Sequence, residues 1–236
     1  MLRALSLEVV DPIPLELKAS ELAGKLKPQK LSEDLVSLFE RARPLIEPKA
    51  VYTVIQVIGF ENERVYLENG HALSGIVLED MLDRGQEIIP YVVTIGPKLE
   101  SEISLEKNML HSFLLDKIGN YALHKACAHL KSLAAERFGS GRSVSEFSPG
   151  TGTGELFGIE QQKPLFRLLD AATATIGVQL TPSLMMVPVK SESGVLAATR
   201  HEYVACAHCP NLQCESRSTA FIGEYQRIKC TGTPIK

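Results

Sequence analysis

The chain has 236 residues, enough for one large domain or two small ones, and 44% of them are hydrophobic, enough to build a core without staples. A formal net charge of −3 removes the electrostatic case for nucleic acid. No stretch runs to the ~18 apolar residues a spanning helix needs. The N-terminal run is broken by Glu8 and Asp11 and carries no secretory pattern, so the expected compartment is the cytoplasm.

Leu5, Leu7 and Val9 alternate with polar residues and predict a strand that Pro12 and Pro14 end. Residues 22–30 have no firm pattern. Ser32 is a good N-cap, with Glu33 and Asp34 placed where a helix dipole favours them. Leu35, Leu38, Phe39 and Ala42 follow at helical spacing, closed by Pro44 and Pro48. The β-branched run Val51–Ile58 predicts one strand, Arg64–Glu68 a second, and Asn69-Gly70 a turn before a third. A short helix over Ile76–Leu82, a buried strand over Glu87–Ile95 and a helix from Lys98 come next.

Leu110–Phe138 is the longest periodic stretch. Asp116, Asn120 and His124 recur every fourth residue along it and form one polar stripe, either a solvated face or part of a pocket wall. Cys127 sits among small residues and reads as a packing cysteine. Residues 140–154 read as a polar, glycine-rich loop. One helix is expected over Pro164–Ile176, a strand over Leu184–Val189, and short strands over Val195–Ala198 and Tyr203–Ala205. Antiparallel strands mixed with helices, without βαβ alternation, predict an α+β fold in a single domain.

Three of the five cysteines, Cys206, Cys209 and Cys214, fall in the run CAHCPNLQC, and Cys230 follows. Such clustering points to metal rather than to a disulfide framework. Thiolates suit zinc and iron–sulfur clusters alike. Zinc sites usually show two separate Cys-x2-Cys knuckles, and only one is present. The asymmetric spacing, with Pro210 beside a ligand, favours iron–sulfur, while His201 or His208 could complete a zinc site.

The segment SPGTGTGELFG at 148–158 fits neither the Walker pattern nor the dinucleotide fingerprint. It is either an ordered surface loop or one whose glycines let backbone amides approach a ligand closely. A longer pattern surrounds it. Glu146-Phe147-Ser148-Pro149-Gly150-Thr151 is followed by Gly177-Val178-Gln179-Leu180-Thr181-Pro182-Ser183. Met186-Val187-Pro188, Ser191-Glu192-Ser193-Gly194 and Glu202-Tyr203 come after it in order.

This succession resembles the activation domain of cobalamin-dependent methionine synthase. There the same order runs Arg-x-x-Pro-Gly-Tyr, Gly-x-x-Leu-Thr-x-Ser, Met-x-Pro, Ser-x-Ser-Gly and a tyrosine pair. Pro48-Lys49-Ala50 and Thr94-Ile95-Gly96 look like free-standing members of that family. The resemblance implies an α+β domain with a twisted antiparallel sheet over residues 1–200, and a cysteine-rich tail over 201–236 packed on it. It implies a pocket for S-adenosylmethionine shaped by Glu146, Pro149, Gly150, Thr151 and Tyr203. It also implies reductive activation of a corrinoid methyltransferase partner, such as methionine synthase, whose cobalamin is remethylated. The chain departs from the pattern where Glu146 replaces the loop arginine, Thr151 the loop tyrosine and Glu202 the first tyrosine of the pair. The first change reverses charge where a ligand carboxylate would dock. Arg142 and Arg167 are the cations that could compensate.

The tail resembles the Cys-x2-Cys-x4-Cys tails of anaerobic free-standing relatives, with Cys206, Cys209, Cys214 and Cys230 as ligands. A cluster there would carry the low-potential electron that cobalamin reduction needs. No side chain stands out as a catalytic nucleophile or base. Two other readings remain: a docking or regulatory module with a structural zinc, and a plain iron–sulfur electron carrier.

Overall fold

The computed structural model describes residues 6–25, 32–138, 142–214 and 217–227. Its strands are β1 (Leu7–Val10), β2 (Lys49–Thr53), β3 (Ile55–Glu61), β4 (Arg64–Leu67), β5 (Ala72–Ser74), β6 (Glu87–Thr94), β7 (Ser143–Phe147), β8 (Gln179–Leu180), β9 (Met186–Val187) and β10 (Ser191–Thr199). Its α-helices are α1 (Ala19–Lys25), α2 (Ser32–Ala42), α3 (Ile76–Met81), α4 (Lys98–Leu105), α5 (Met109–Phe138), α6 (Gln162–Leu168), α7 (Asp170–Thr175) and α8 (Ala205–His208). The fold is α+β, as the mixed pattern predicts.

β6 is the centre of the sheet. It pairs antiparallel with β2 and β3 on one edge and with β10 on the other, and β7 lies beyond β10. Every residue of β6 after Glu87 is buried, because helices cover both faces. Ile89, Tyr91 and Val93 face α5 with Ala126, Cys127, Leu130, Val144 and Leu196. Val92 faces the opposite layer, with Phe166, Leu169, Ile176 and Val178. At that layer's other end, Ile55, Val57, Leu78, Leu82, Ile88 and Phe147 form the largest cluster, which also takes in Tyr203.

Several local expectations give way to tertiary packing. The run Val51–Ile58 divides at Val54: β2 pairs along the far half of β6, and β3 follows in the same register at its near end before turning to β4. The patternless stretch opens with the end of α1, whose Leu22 packs against α2 and α5; its later residues lie outside the described ones. The helix expected over Pro164–Ile176 is two helices that break at Leu169. The strand expected over Leu184–Val189 shrinks to β9, which pairs only with β8. Residues 203–205 form no strand, and α8 begins at Ala205. Part of the glycine-rich loop is β7, a strand given its partner by β10 rather than by hydrophobic alternation of its own.

The polar stripe of α5 meets the sheet's end through one cation. Lys190 Nζ donates to Asp116 Oδ1 at 2.5 Å and to Asn120 Oδ1 at 2.7 Å, and Asn120 Nδ2 donates to Asp116 Oδ2 at 3.0 Å. Among the described residues, no helix is long and apolar enough to cross a membrane.

Candidate functional site

Alternate residues of a strand share a face. Val144 and Glu146 of β7 therefore look the same way as Glu192, Gly194 and Leu196 of β10 and as Tyr91 of β6, toward α5. The register places Tyr91 opposite Gly194 and Leu196 opposite Glu146. A Cβ at Gly194 would lie 2.8 Å from the Phe147 carbonyl and 3.0 Å from both Cε1 and Oη of Tyr91. Because Gly194 has none, the Tyr91 ring crosses over β10 and its phenol donates a hydrogen bond to Glu146 Oε1. Gly194→Ala should therefore cost about 1–3 kcal/mol, the range for overpacking against a neighbour that cannot move. Urea unfolding would show this as a lower midpoint at constant slope, and an unchanged midpoint would contradict the close approach.

Glu192 completes this group. Its carboxyl accepts from Ser148 Oγ at 3.1 Å and from the Cys127 thiol at 3.5 Å. One ligand atom each from Cys127, Glu146 and Glu192 lies within 4.8 Å of the other two, and among the described residues no other such trio forms. The environment is hostile to charge. Burial, then the neighbouring Glu146 charge, pushes Glu192 up to about 7, against hydrogen bonds from Cys127 and Ser148 that favour its ionised form. Burial, followed by the Glu192 and Glu146 charges, raises the Cys127 thiol well above its ordinary value. Tyr91 is raised by the same burial and the same acids. Cys127 packs in the core, as the sequence predicts, and its thiol also reaches Glu192. Sequence reasoning missed that contact because the partner is remote in the chain.

The glycine-rich loop continues from Ser148 on the other side of β7. Thr151 N–H and its hydroxyl both donate to the Ser148 carbonyl, and Gly150 N–H donates to the Phe157 carbonyl at 2.8 Å. Pro149 is buried; Gly150 and Thr151 are exposed. Gly150, Gly152 and Gly154 all have positive φ, so these turns need glycine. A Cβ at Gly152 would lie 3.9 Å from Tyr203 Oη and 3.7 Å from the Ala205 carbonyl, which sets the loop directly against the start of the cysteine tail. Of the predicted pocket residues, Pro149, Gly150 and Thr151 belong to the loop whose Gly152 neighbours Tyr203, whereas Glu146 points to the α5 face. Arg142 is exposed, and Arg167 lines a separate cavity of about 720 Å³ with Lys163, Phe166, Val178 and Leu180.

Tyr203 joins the layers. Its N–H donates to Ser145 Oγ at 2.8 Å, and its ring stacks on Phe147 at 5.3 Å and on His208 at 6.0 Å between centroids. Tyr225 meets both Tyr203 and His208 edge-on. Burial first, then the nearby Cys206 and Cys209 thiols, pushes the Tyr203 phenol up to about 12.

Cys206, Cys209 and Cys214 are half-buried and unbridged, in a loop folded around Arg217. Arg217 Nη1 donates to the Cys206 carbonyl at 2.6 Å, and Nη2 donates to the carbonyls of Cys209 at 2.6 Å and Asn211 at 2.7 Å. Burial raises the Cys206 thiol, but hydrogen bonds from Ser218 and the Arg217 charge outweigh it and leave the thiol lowered. Cys230 lies outside the described residues. Arg217 escaped sequence reasoning, since a lone arginine after a cysteine run carries no signal. The tail is also tied down past the loop, where Arg227 donates to Glu63 at 3.1 Å and to Glu79 at 2.7 Å.

No family model and no curated protein matches the chain. Among solved structures it is similar to the crystal structure of the MetH reactivation domain bound to AdoHcy, with a TM-score of 0.61 over 85% of this chain and 81% of that one, at 11% identity. The fold of this chain is that of the MetH reactivation domain.

Proposed function

We propose that the chain reductively activates a cobalamin-bearing methyltransferase of the methionine synthase type, working in the cytoplasm as a body (residues 1–200) with a redox tail (201–236). The single observation that carries this reading is the meeting of loop and tail. Gly152, in the loop that corresponds to the ligand loop of the resembled family, sits against Tyr203 and Ala205, one residue before the first tail cysteine. The fold neighbour binds AdoHcy, which supports S-adenosylmethionine as the methyl donor.

The residues present suit an iron–sulfur cluster. Cys206, Cys209 and Cys214, with Cys230, would hold it, and when bound it supplies one low-potential electron. Arg217 fixes the loop by its carbonyls and leaves the thiols free to ligate. The same cation helps Cys206 lose its proton, as ligation requires. The Tyr203 ring, stacked on His208, lies close to the Cys206 and Cys209 thiols.

The test is iron, acid-labile sulfide and zinc on protein purified without oxygen, with a visible spectrum. Iron and sulfide in matching amounts, with absorption that bleaches on reduction, are expected, and Cys206→Ser, Cys209→Ser and Cys214→Ser should each lose most of both. Zinc alone would overturn the electron-transfer half. It would favour a second reading, a docking module with structural zinc, which Glu146 supports. That acid occupies the position of the ligand-clamping arginine and is engaged by Tyr91 instead. Titration with S-adenosylmethionine separates the two: binding is expected for the activator and none for the docking module.

A further inference from the structure

Beneath β7 and β10, on the α5 side, two carboxyls and a thiol meet without a cation. Two carboxyls by themselves need no metal, because one shared proton removes half their charge. Here a third group is added. Cys127 is only 8% exposed, and its thiol is directed at Glu192. The neighbouring cations are engaged elsewhere, Lys131 with Glu202 at 2.8 Å and Lys190 with Asp116 at 2.5 Å. Among the described residues, the groups that hydrogen-bond at this spot are acids, a thiol and hydroxyls: Tyr91 from β6, Cys127 from α5, Glu146 and Ser148 from β7 and the loop after it, Glu192 from β10.

We propose that Cys127, Glu146 and Glu192 form a site for one divalent transition-metal ion of zinc-like softness, distinct from the cysteine tail. One thiolate and two carboxylates mix soft and hard donors, which suits zinc, cobalt or ferrous iron better than magnesium or calcium. All three donors lie within 4.8 Å of one another, and Cys127 Sγ and Glu192 Oε2 already stand 3.5 Å apart, a spacing that two donors around one zinc with bonds near 2.0–2.3 Å can share. Tyr91 and Ser148 already orient the two carboxyls from outside, as supporting hydrogen bonds do around ligating side chains. Three protein ligands leave a fourth position for water. Binding displaces the thiol proton and the proton held by the carboxyl pair, so uptake of metal releases protons and no electron moves.

The experiment uses the full chain with Cys206, Cys209, Cys214 and Cys230 all replaced by Ser, which leaves Cys127 as the only cysteine. Co²⁺ is titrated into the metal-free protein without oxygen, and Zn²⁺ is used to displace it. One equivalent with a thiolate-to-cobalt charge-transfer band is expected. The band should vanish in the added Cys127→Ala change, and the affinity should fall at least tenfold in Glu192→Gln and by about 10–100-fold in Tyr91→Phe. A folded chain with no charge-transfer band overturns the proposal, as does an affinity that Cys127→Ala leaves unchanged. If the four-serine chain does not fold, bound zinc per chain is compared between wild type and Cys127→Ala: one equivalent fewer supports the site, and equal amounts overturn it. Failure of the iron–sulfur reading would not touch this outcome, because the titrated chain has no tail cysteines.

Discussion

Tyr203→Ala is expected to destabilise the protein by about 3–5 kcal/mol, the range for removing a large buried aromatic ring. Tyr203 is 6% exposed, and its ring lies between Phe147 on one side and His208 and Tyr225 on the other. Its loss leaves a cavity beside Phe147 and removes the stacking partner of His208 and the edge contact of Tyr225. Tyr203→Phe keeps the ring and should stay within ~1 kcal/mol of wild type. Urea unfolding measures both. Limited proteolysis gives the second readout, because the Ala variant should be cut early within 203–227 while the body remains resistant. An Ala variant as stable and as resistant as wild type would mean that the aromatic stack does not dock the tail.

The second large effect is a pH dependence of stability in metal-free protein. Glu192 sits at about 7 in the folded chain against an ordinary 4.5, raised first by burial and then by Glu146. A carboxyl with a raised folded value binds its proton more tightly when folded. Its contribution is therefore fully favourable below pH 4.5 and is lost as the pH rises through 7. At 1.36 kcal/mol per unit, the loss from this group is roughly 3 kcal/mol between those limits. Chelator-treated wild type should thus weaken from pH 5 to pH 8, and Glu192→Gln, which cannot ionise, should lose most of that slope and be the more stable at pH 8. A wild-type curve that is flat over this range, or that rises with pH as steeply as in the Gln variant, would rule out a buried acid pair. Saturating Zn²⁺ should reverse the wild-type slope, since metal binding takes the deprotonated forms.

The sequence by itself determined what local chemistry controls. Ser32 to Ala42, the apolar spacing after Leu110 and the β-branched run before Ile58 name their helices and strands because side-chain periodicity repeats along the chain. The α+β class, the ordered succession from Glu146 to Tyr203 and the cysteine run were legible for the same reason: each is carried by residues close in sequence. What only the tertiary structure decided is where remote residues meet. β7 is a strand because β10 lies beside it, and β3 keeps the register of β2 on β6 before it leaves that strand to pair with β4. The reversal from arginine to Glu146 reads in sequence as a damaged ligand clamp. In the fold it is half of an acid pair, joined by Tyr91 across the gap at Gly194 and by Cys127 from a helix that sequence assigned to packing. Arg217 likewise gains its meaning from four carbonyls that a folded loop turns toward it. Burial and long-range hydrogen bonding create these sites, and neither has a period that a linear reading can detect.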